Sequence, residues 1–154
     1  MKQNSIKEQS LNPQPNVRAT PQPAAADQLD ERVFAALHAA GEKKALEPVV
    51  LDLKEIASFT DYFVIVSGAN ERQVQAISDE VYESLKKAGH TAARVEGYKT
   101  AEWILLDYGD FVVHVFEQKA RKFYDLERLW RESKRVELPP EITGDSGSSL
   151  RRES

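Results

Sequence analysis

Two carboxylates, Asp107 and Asp110, flank the turn in WILLDYGDFVVHVF, residues 103–116. Carboxylates at a strand end can hold a divalent cation or move protons. Phosphoryl transfer would also need a phosphate cradle, and SGAN (67–70) is the only Gly turn that leads into a helical pattern. That turn lacks the Gly spacing and the Lys of a phosphate-binding loop, so turn chemistry explains Asp110 more simply. His114 shares a strand face with Val112 and Phe116 and has no nucleophile or orienting partner in its local pattern. A half-buried structural histidine is the plainer reading. His38 and His90 offer no zinc-ligand spacing. Ser67 has only the following Gly68 of a nucleophile elbow. No metal, cofactor or catalytic residue is therefore expected. Trp103 and Tyr108 carry more weight, because large aromatics at strand ends build cores and also anchor protein interfaces.

These residues must be positioned by an ordered region that the patterning puts at 27–136. Residues 1–26, with NPQPN and TPQP, and residues 137–154, with a Gly/Ser tract, read as disordered tails. Leu29, Val33, Leu37 and Ala40 predict a helix, capped by Asp27 or Asp30 and stopped near Gly41. PVVLDL (48–53) predicts a strand, KEIASFTD a connection, and YFVIVSG (62–68) a central strand that is apolar on both faces. Asn70 and Gln73 form a loose capping box before a helix whose stripe is Val74, Ile77, Val81, Leu85 and Ala88, with Gly89 as its stop.

TAARV (91–95) predicts a short strand, residues 103–116 an antiparallel hairpin, and KFYDLERLWRESKRV one closing helix. The strand–helix–strand run from 62 to 95 is a candidate parallel crossover. The expected fold is α/β: a mixed sheet of about five strands packed with helices. Both faces of 103–106 are apolar, so helices cover both sides or a partner covers one.

The net charge of -4 argues against nucleic acid as the primary partner, since phosphate affinity needs clustered cations. The basic residues Lys119, Arg121, Lys122, Arg128, Arg131, Lys134 and Arg135 alternate with Glu117, Asp125, Glu127 and Glu132, which predicts a solvated helix laced with ion pairs. There is no cysteine, no apolar run near the ~18 residues of a membrane span, and no apolar segment at the N-terminus typical of a secretory signal. A cytoplasmic location is expected.

DYFVIVSGANERQVQAISDEV followed by EGYKTAEWILLDYGDFVVHVFEQKARKFYDLERLW closely resembles the ribosomal silencing factor (RsfS, Iojap-related) family over roughly residues 29–132. The resemblance implies a domain distantly similar to nucleotidyltransferases but without their catalytic equipment. It implies action by binding, not turnover. The family's partner is the fourteenth large-subunit ribosomal protein, at the face the small subunit would occupy. Docking there blocks subunit joining and lowers translation when nutrients are short.

Organellar relatives assist large-subunit maturation, and free members are commonly homodimers. Carried over by motif position, the contact set is Trp103, Leu105, Tyr108, Asp110 and His114, with Arg121 and Tyr124. Trp103 and Tyr108 are expected as anchors, and Asp110 or Arg121 as charges that fix register. Two rivals remain at this point: a large-subunit assembly factor using the same surface, and a metal-dependent nucleotidyltransferase-like enzyme using Asp107, Asp110 and the SGAN turn.

Overall fold

A computed structural model of the chain describes residues 29–143. The elements run α1 (Glu31–Glu42), β1 (Leu46–Asp52), β2 (Tyr62–Gly68), α2 (Glu71–Lys87), β3 (Arg94–Glu96), β4 (Trp103–Asp107) and β5 (Phe111–Glu117). They are followed by α3 (Gln118–Tyr124), α4 (Leu126–Leu129), β6 (Lys134–Arg135) and α5 (Pro140–Thr143). The strands form one mixed sheet in the order β3-β4-β5-β2-β1-β6. β2 is buried along its whole length, as its doubly apolar sequence requires.

Each expected element except the last has its predicted type. Asp30 caps α1 through Arg32 N–H at 2.8 Å; Asp27 lies outside the described residues. Helix α1 runs one residue past Gly41, and α2 ends at Lys87, followed by the Ala88 cap and by Gly89, which takes φ +97°. Strand β1 begins two residues before Pro48, through a bulge at which Glu47 has φ +50°.

The α2 capping box is closed and extended. Asn70 Oδ1 accepts from Gln73 N–H at 2.8 Å, and Gln73 Oε1 accepts from Ala69 N–H at 2.6 Å. The Gln73 amide also donates to the carbonyls of Lys43 and Lys44, tying the α1–β1 turn to the start of α2. Gln73→Ala removes the three bonds made by the side-chain amide and leaves the backbone N–H bond to Asn70 in place. It is expected to lower stability by about 1–2 kcal/mol, the range for loss of a cap. A urea midpoint unchanged from wild type would contradict that assignment.

Three expectations are corrected. The parallel partner of β2 is β5, not β3; Tyr62–Gly68 pairs in parallel with Phe111–Glu117. Strand β3 lies at the sheet edge, antiparallel to β4, so the chain crosses two strands before it returns. The closing helix is broken. Asp125 adopts a left-handed conformation (φ +49°, ψ +53°), which separates α3 from α4, and Lys134–Arg135 pairs with Leu51 and Asp52 as a sixth strand. The segment from 137 carries α5, and Leu138 and Ile142 pack against the core. The alternation of basic and acidic residues gave no sign of the break, because a residue-level conformation at Asp125 interrupts an otherwise helical pattern.

The core lies in two layers on opposite faces of the sheet. On one, α1 and α2 cover Val64, Val66, Ile104, Leu106, Phe111, Val113 and Val115. On the other, Leu51, Phe63, Ile65, Val112 and Phe116 pack with Ala120 from α3, Leu126 from α4, Trp130 and the 53–57 connection. Helices of 12 and 17 residues shield the first face, and helices of 7 and 4 residues the second. Helix cover is thus full on one side of β4 and partial on the other.

Candidate functional site: an aromatic sheet face

The thinly covered face holds a continuous run of rings. Phe59 meets Trp130 at 6.0 Å between centroids, Trp130 meets Phe63 at 5.6 Å, and Phe63 meets His114 edge-on at 4.4 Å. Trp103 stacks on Phe116 at 4.9 Å and meets Tyr124 at a tilt at 4.9 Å, and Phe123 stands edge-on against Tyr124 at 5.0 Å. Both tryptophans of the chain lie here. Strand alternation puts them there: Trp103 and Leu105 share a β4 face, and Leu105 pairs across with His114.

Much of this surface meets water. Phe123 is 80% exposed, Leu129 72% and Phe59 59%, while Tyr124 and Ile56 are also exposed. Trp103 and Leu105 are half-buried. The exposed residues lie toward the two ends of the cluster, with buried Phe63, His114 and Phe116 between them.

His114, by contrast, is only 3% exposed. Its Nδ1 accepts the Trp103 indole N–H at 3.0 Å, so the proton of the neutral ring sits on Nε2. Burial drives its pKa down to about 3, against a smaller opposing pull from Asp107. The ring thus stays neutral and acts as a fixed acceptor that sets the indole's orientation. Gly97 matters to the same residue: at φ +82°, a Cβ there would stand 2.1 Å from the Trp103 carbonyl oxygen, so β4 can approach only a glycine.

The structure brings Trp103, Leu105, His114 and Tyr124 together on this face. Tyr108 and Asp110 sit apart, at the hairpin turn. Tyr108 stacks on Phe111 of the opposite layer, and burial raises its phenol pKa to about 12. Asp110 is exposed and takes Arg32 at 2.9 Å, tying the turn to the start of α1. Arg121 is 7% exposed and its guanidinium donates to both Glu127 carboxylate oxygens, the Ser67 hydroxyl and the Glu47 carbonyl. It braces α3 and is not a free charge.

Sequence reasoning missed Phe59, Phe63, Trp130, Phe123 and Leu129. Phe59 was hidden in a segment read as a mere connection. Its aromatic character in a polar loop was the available signal. Phe123 and Leu129 lie in the segment read as one closing helix, which is broken at Asp125.

The acid–base pair of the sequence is engaged elsewhere. Asp107 accepts from Gly109 N–H at 2.8 Å and pairs with Arg94 at 3.2 Å, while Asp110 holds Arg32. At the SGAN turn, Asn70 and Gln73 side chains already take the N–H groups of Gln73 and Ala69. Among the described residues, no group of three or more His, Asp or Glu could hold a metal ion. No helix among them is long and apolar enough to cross a membrane.

Fold and face together define an α/β domain that presents one open aromatic side of its sheet. The chain belongs to the ribosomal silencing factor family: the family model described as "Ribosomal silencing factor during starvation" matches residues 26–153. The chain is similar to "Ribosomal silencing factor RsfS" of Halalkalibacterium halodurans, 44% identical over 103 residues, covering 67% of this chain and 88% of that protein. It is similar to a solved structure from Bacillus halodurans, 42% identical with a TM-score of 0.64, covering 70% of this chain and 98% of that one. At greater distance it resembles "Mitochondrial assembly of ribosomal large subunit protein 1" of Mus musculus, 30% identical over 92 residues, covering 58% of this chain and 40% of that protein.

Proposed function

We propose that this chain acts as a ribosomal silencing factor by docking its aromatic sheet face on the fourteenth large-subunit ribosomal protein, at the surface that the small subunit must occupy. The observation that carries the reading is the aromatic cluster on the more thinly covered side of the sheet, where exposed Phe59, Tyr124 and Phe123 and half-buried Trp103 and Trp130 rest on buried Phe63, His114 and Phe116. Trp103, Leu105 and Tyr124 supply apolar contacts, with Tyr108 and Asp110 at the flanking hairpin turn. His114 and Arg121 act from beneath, by holding the contact residues in place. A standard interface of about 1,200–2,000 Å² is enough for a stable complex, and occupancy alone then excludes the small subunit. No bond is made or broken, so the function needs neither metal nor cofactor. The ribosome is the site of action, which places the protein in the cytoplasm, and the same apolar face suits a homodimer in the free state.

Trp103→Ala is expected to weaken binding to purified large subunits about 30-fold, near 2 kcal/mol, as truncation of a central aromatic anchor does. Sedimentation of 30S and 50S subunits with added protein reads the outcome. Wild-type chain at saturation should keep the subunits apart, and the variant should need a correspondingly higher concentration. Full subunit joining in the presence of saturating wild-type protein would overturn the proposal. The mouse relative, named for assembly of the mitochondrial large subunit, supports a second reading in which the same surface serves subunit maturation. Accumulation of immature large-subunit precursors in cells lacking the protein, with normal subunit joining, would favour it.

A further inference from the structure

The charges of α3 and α4 do not pair as their spacing predicts. The break at Asp125 turns the acids elsewhere. Glu127 takes Arg121 in a two-pronged contact at 3.1 Å and also Arg135 at 3.2 Å. Glu117 caps α3, accepting from Lys119 N–H and Ala120 N–H. Among the described residues, no ion pair forms at Lys122, Arg128 or Arg131. These three cations line an open cleft of about 490 Å³, together with Phe123, Tyr124 and Leu129. Asp125 is the one acid on its wall. The chain as a whole is acidic, at -4, so this positive cluster is local.

We propose that this cleft binds single-stranded RNA, with an unstacked base on the Phe123 ring and neighbouring phosphates on Lys122, Arg128 and Arg131. Phe123 is the most exposed large apolar residue described, and Tyr124 meets it at 89°, which props the ring upright with a face open to solvent. An upright aromatic ringed by unpaired cations is the arrangement by which proteins hold unpaired nucleotides, since every base has a stackable face and every linkage a charge. An acidic peptide would use the cations but not the ring. A lipid surface would want a longer amphipathic helix than the 7 and 4 residues of α3 and α4. The cleft adjoins the protein-docking face through Tyr124, which touches both Phe123 and Trp103. The choice of RNA rests on the ribosomal reading above. It makes the docking surface bipartite, one half meeting protein and the other a loop or bulge of ribosomal RNA.

The test uses the full chain and two probes: a fluorescein-labelled single-stranded RNA 12-mer of mixed sequence, read by anisotropy, and purified large subunits. Both are titrated between 50 and 200 mM salt, the range over which phosphate contacts weaken steeply. Phe123→Ala is expected to weaken 12-mer binding about tenfold with an unchanged salt slope, because stacking releases no counterions. The triple variant Lys122→Gln, Arg128→Gln, Arg131→Gln should flatten that slope by about 2, near 0.7 for each lost phosphate contact. Both variants replace exposed side chains, so far-ultraviolet circular dichroism should match wild type.

Wild-type chain that fails to bind the 12-mer at the lowest salt, or variants that bind it as wild type does, would overturn the inference. So would an equal loss for the triple variant on phosphatidylserine vesicles or on the isolated ribosomal protein, which would assign the cleft to lipid or to an acidic protein surface. Normal 12-mer binding with no affinity for large subunits would sink the ribosomal reading and leave the RNA site standing. Large-subunit binding untouched by variants that lose the 12-mer would overturn the bipartite docking surface.

Discussion

Arg121→Ala should be strongly destabilising, costing about 3 kcal/mol. The guanidinium grips both oxygens of Glu127 at 3.1 Å, the buried Ser67 hydroxyl at 2.8 Å and the Glu47 carbonyl at 2.7 Å. Those four contacts join the β1 bulge, the end of β2, α3 and α4. Truncation leaves the Ser67 hydroxyl without this donor at a site closed to water and leaves Glu127 with only Arg135. Glu127 is partly exposed, which holds the loss toward the lower end of the range for a broken buried pair. The measurement is the urea midpoint, with hydrogen exchange across 118–129 as the local readout. A midpoint shift equivalent to less than 1 kcal/mol would show that the brace is not needed. Because Phe123, Tyr124 and Leu129 ride on α3 and α4, binding should fall with the local order.

Acid should unfold the protein through His114 well before its carboxylates are protonated. Burial lowers the folded-state pKa to about 3, while the same ring in the unfolded chain titrates near 6.5. The unfolded state therefore takes up a proton first. The contribution is complete above pH 6.5 and is lost as pH falls from there toward 3. The slope is up to about 1.4 kcal/mol per pH unit, or about 2 kcal/mol between pH 7 and pH 5. Asp30 works in the same direction but lower in pH: contacts to Arg32 outweigh its burial and leave its pKa below the usual value. The window from pH 6.5 to 5 thus belongs to the histidine. Urea midpoints measured across it should slope for wild type and be flat for His114→Phe. An equal slope in both proteins would remove His114 from the account. The variant also releases the Trp103 indole, so it should weaken large-subunit binding even at pH 7.

Much of this fold is legible in the residues, element by element. The all-apolar YFVIVSG can only be a central strand, and it is buried throughout. The stripe from Val74 to Leu85 needs a helix with one buried face, and those residues are buried. Local rules also reach the caps, because Asn70 and Gln73 act within one turn of chain. Register between distant strands is different. Nothing in 62–68 or in 94–96 says that β2 pairs with β5 and not with β3. That choice is made by which pairing lets α1 and α2 bury the same side of the sheet. The candidate site divides along the same line. Motif positions name Trp103, Leu105, Tyr108, Asp110, His114, Arg121 and Tyr124; strand alternation groups Trp103, Leu105 and His114, while Tyr108 and Asp110 stand apart at the turn and Arg121 is engaged beneath. Phe59, Trp130 and Phe123 come from three separate segments, so only the packed chain brings them to one face.

The residues by themselves determined that this protein is an α/β domain of the ribosomal silencing family with an apolar, two-faced hairpin at its centre, because strand and helix periodicity and long motifs are local properties of the chain. Tertiary structure alone decided which face of that hairpin stays open. Two long helices pack on one side, and a left-handed residue at Asp125 leaves the other side only two short ones. The same break decided the fate of the charges, drawing Glu127 inward to Arg121 and leaving Lys122, Arg128 and Arg131 without carboxylate partners. Ion pairing depends on where a backbone finally points its side chains, and spacing along a sequence specifies that only while the helix continues.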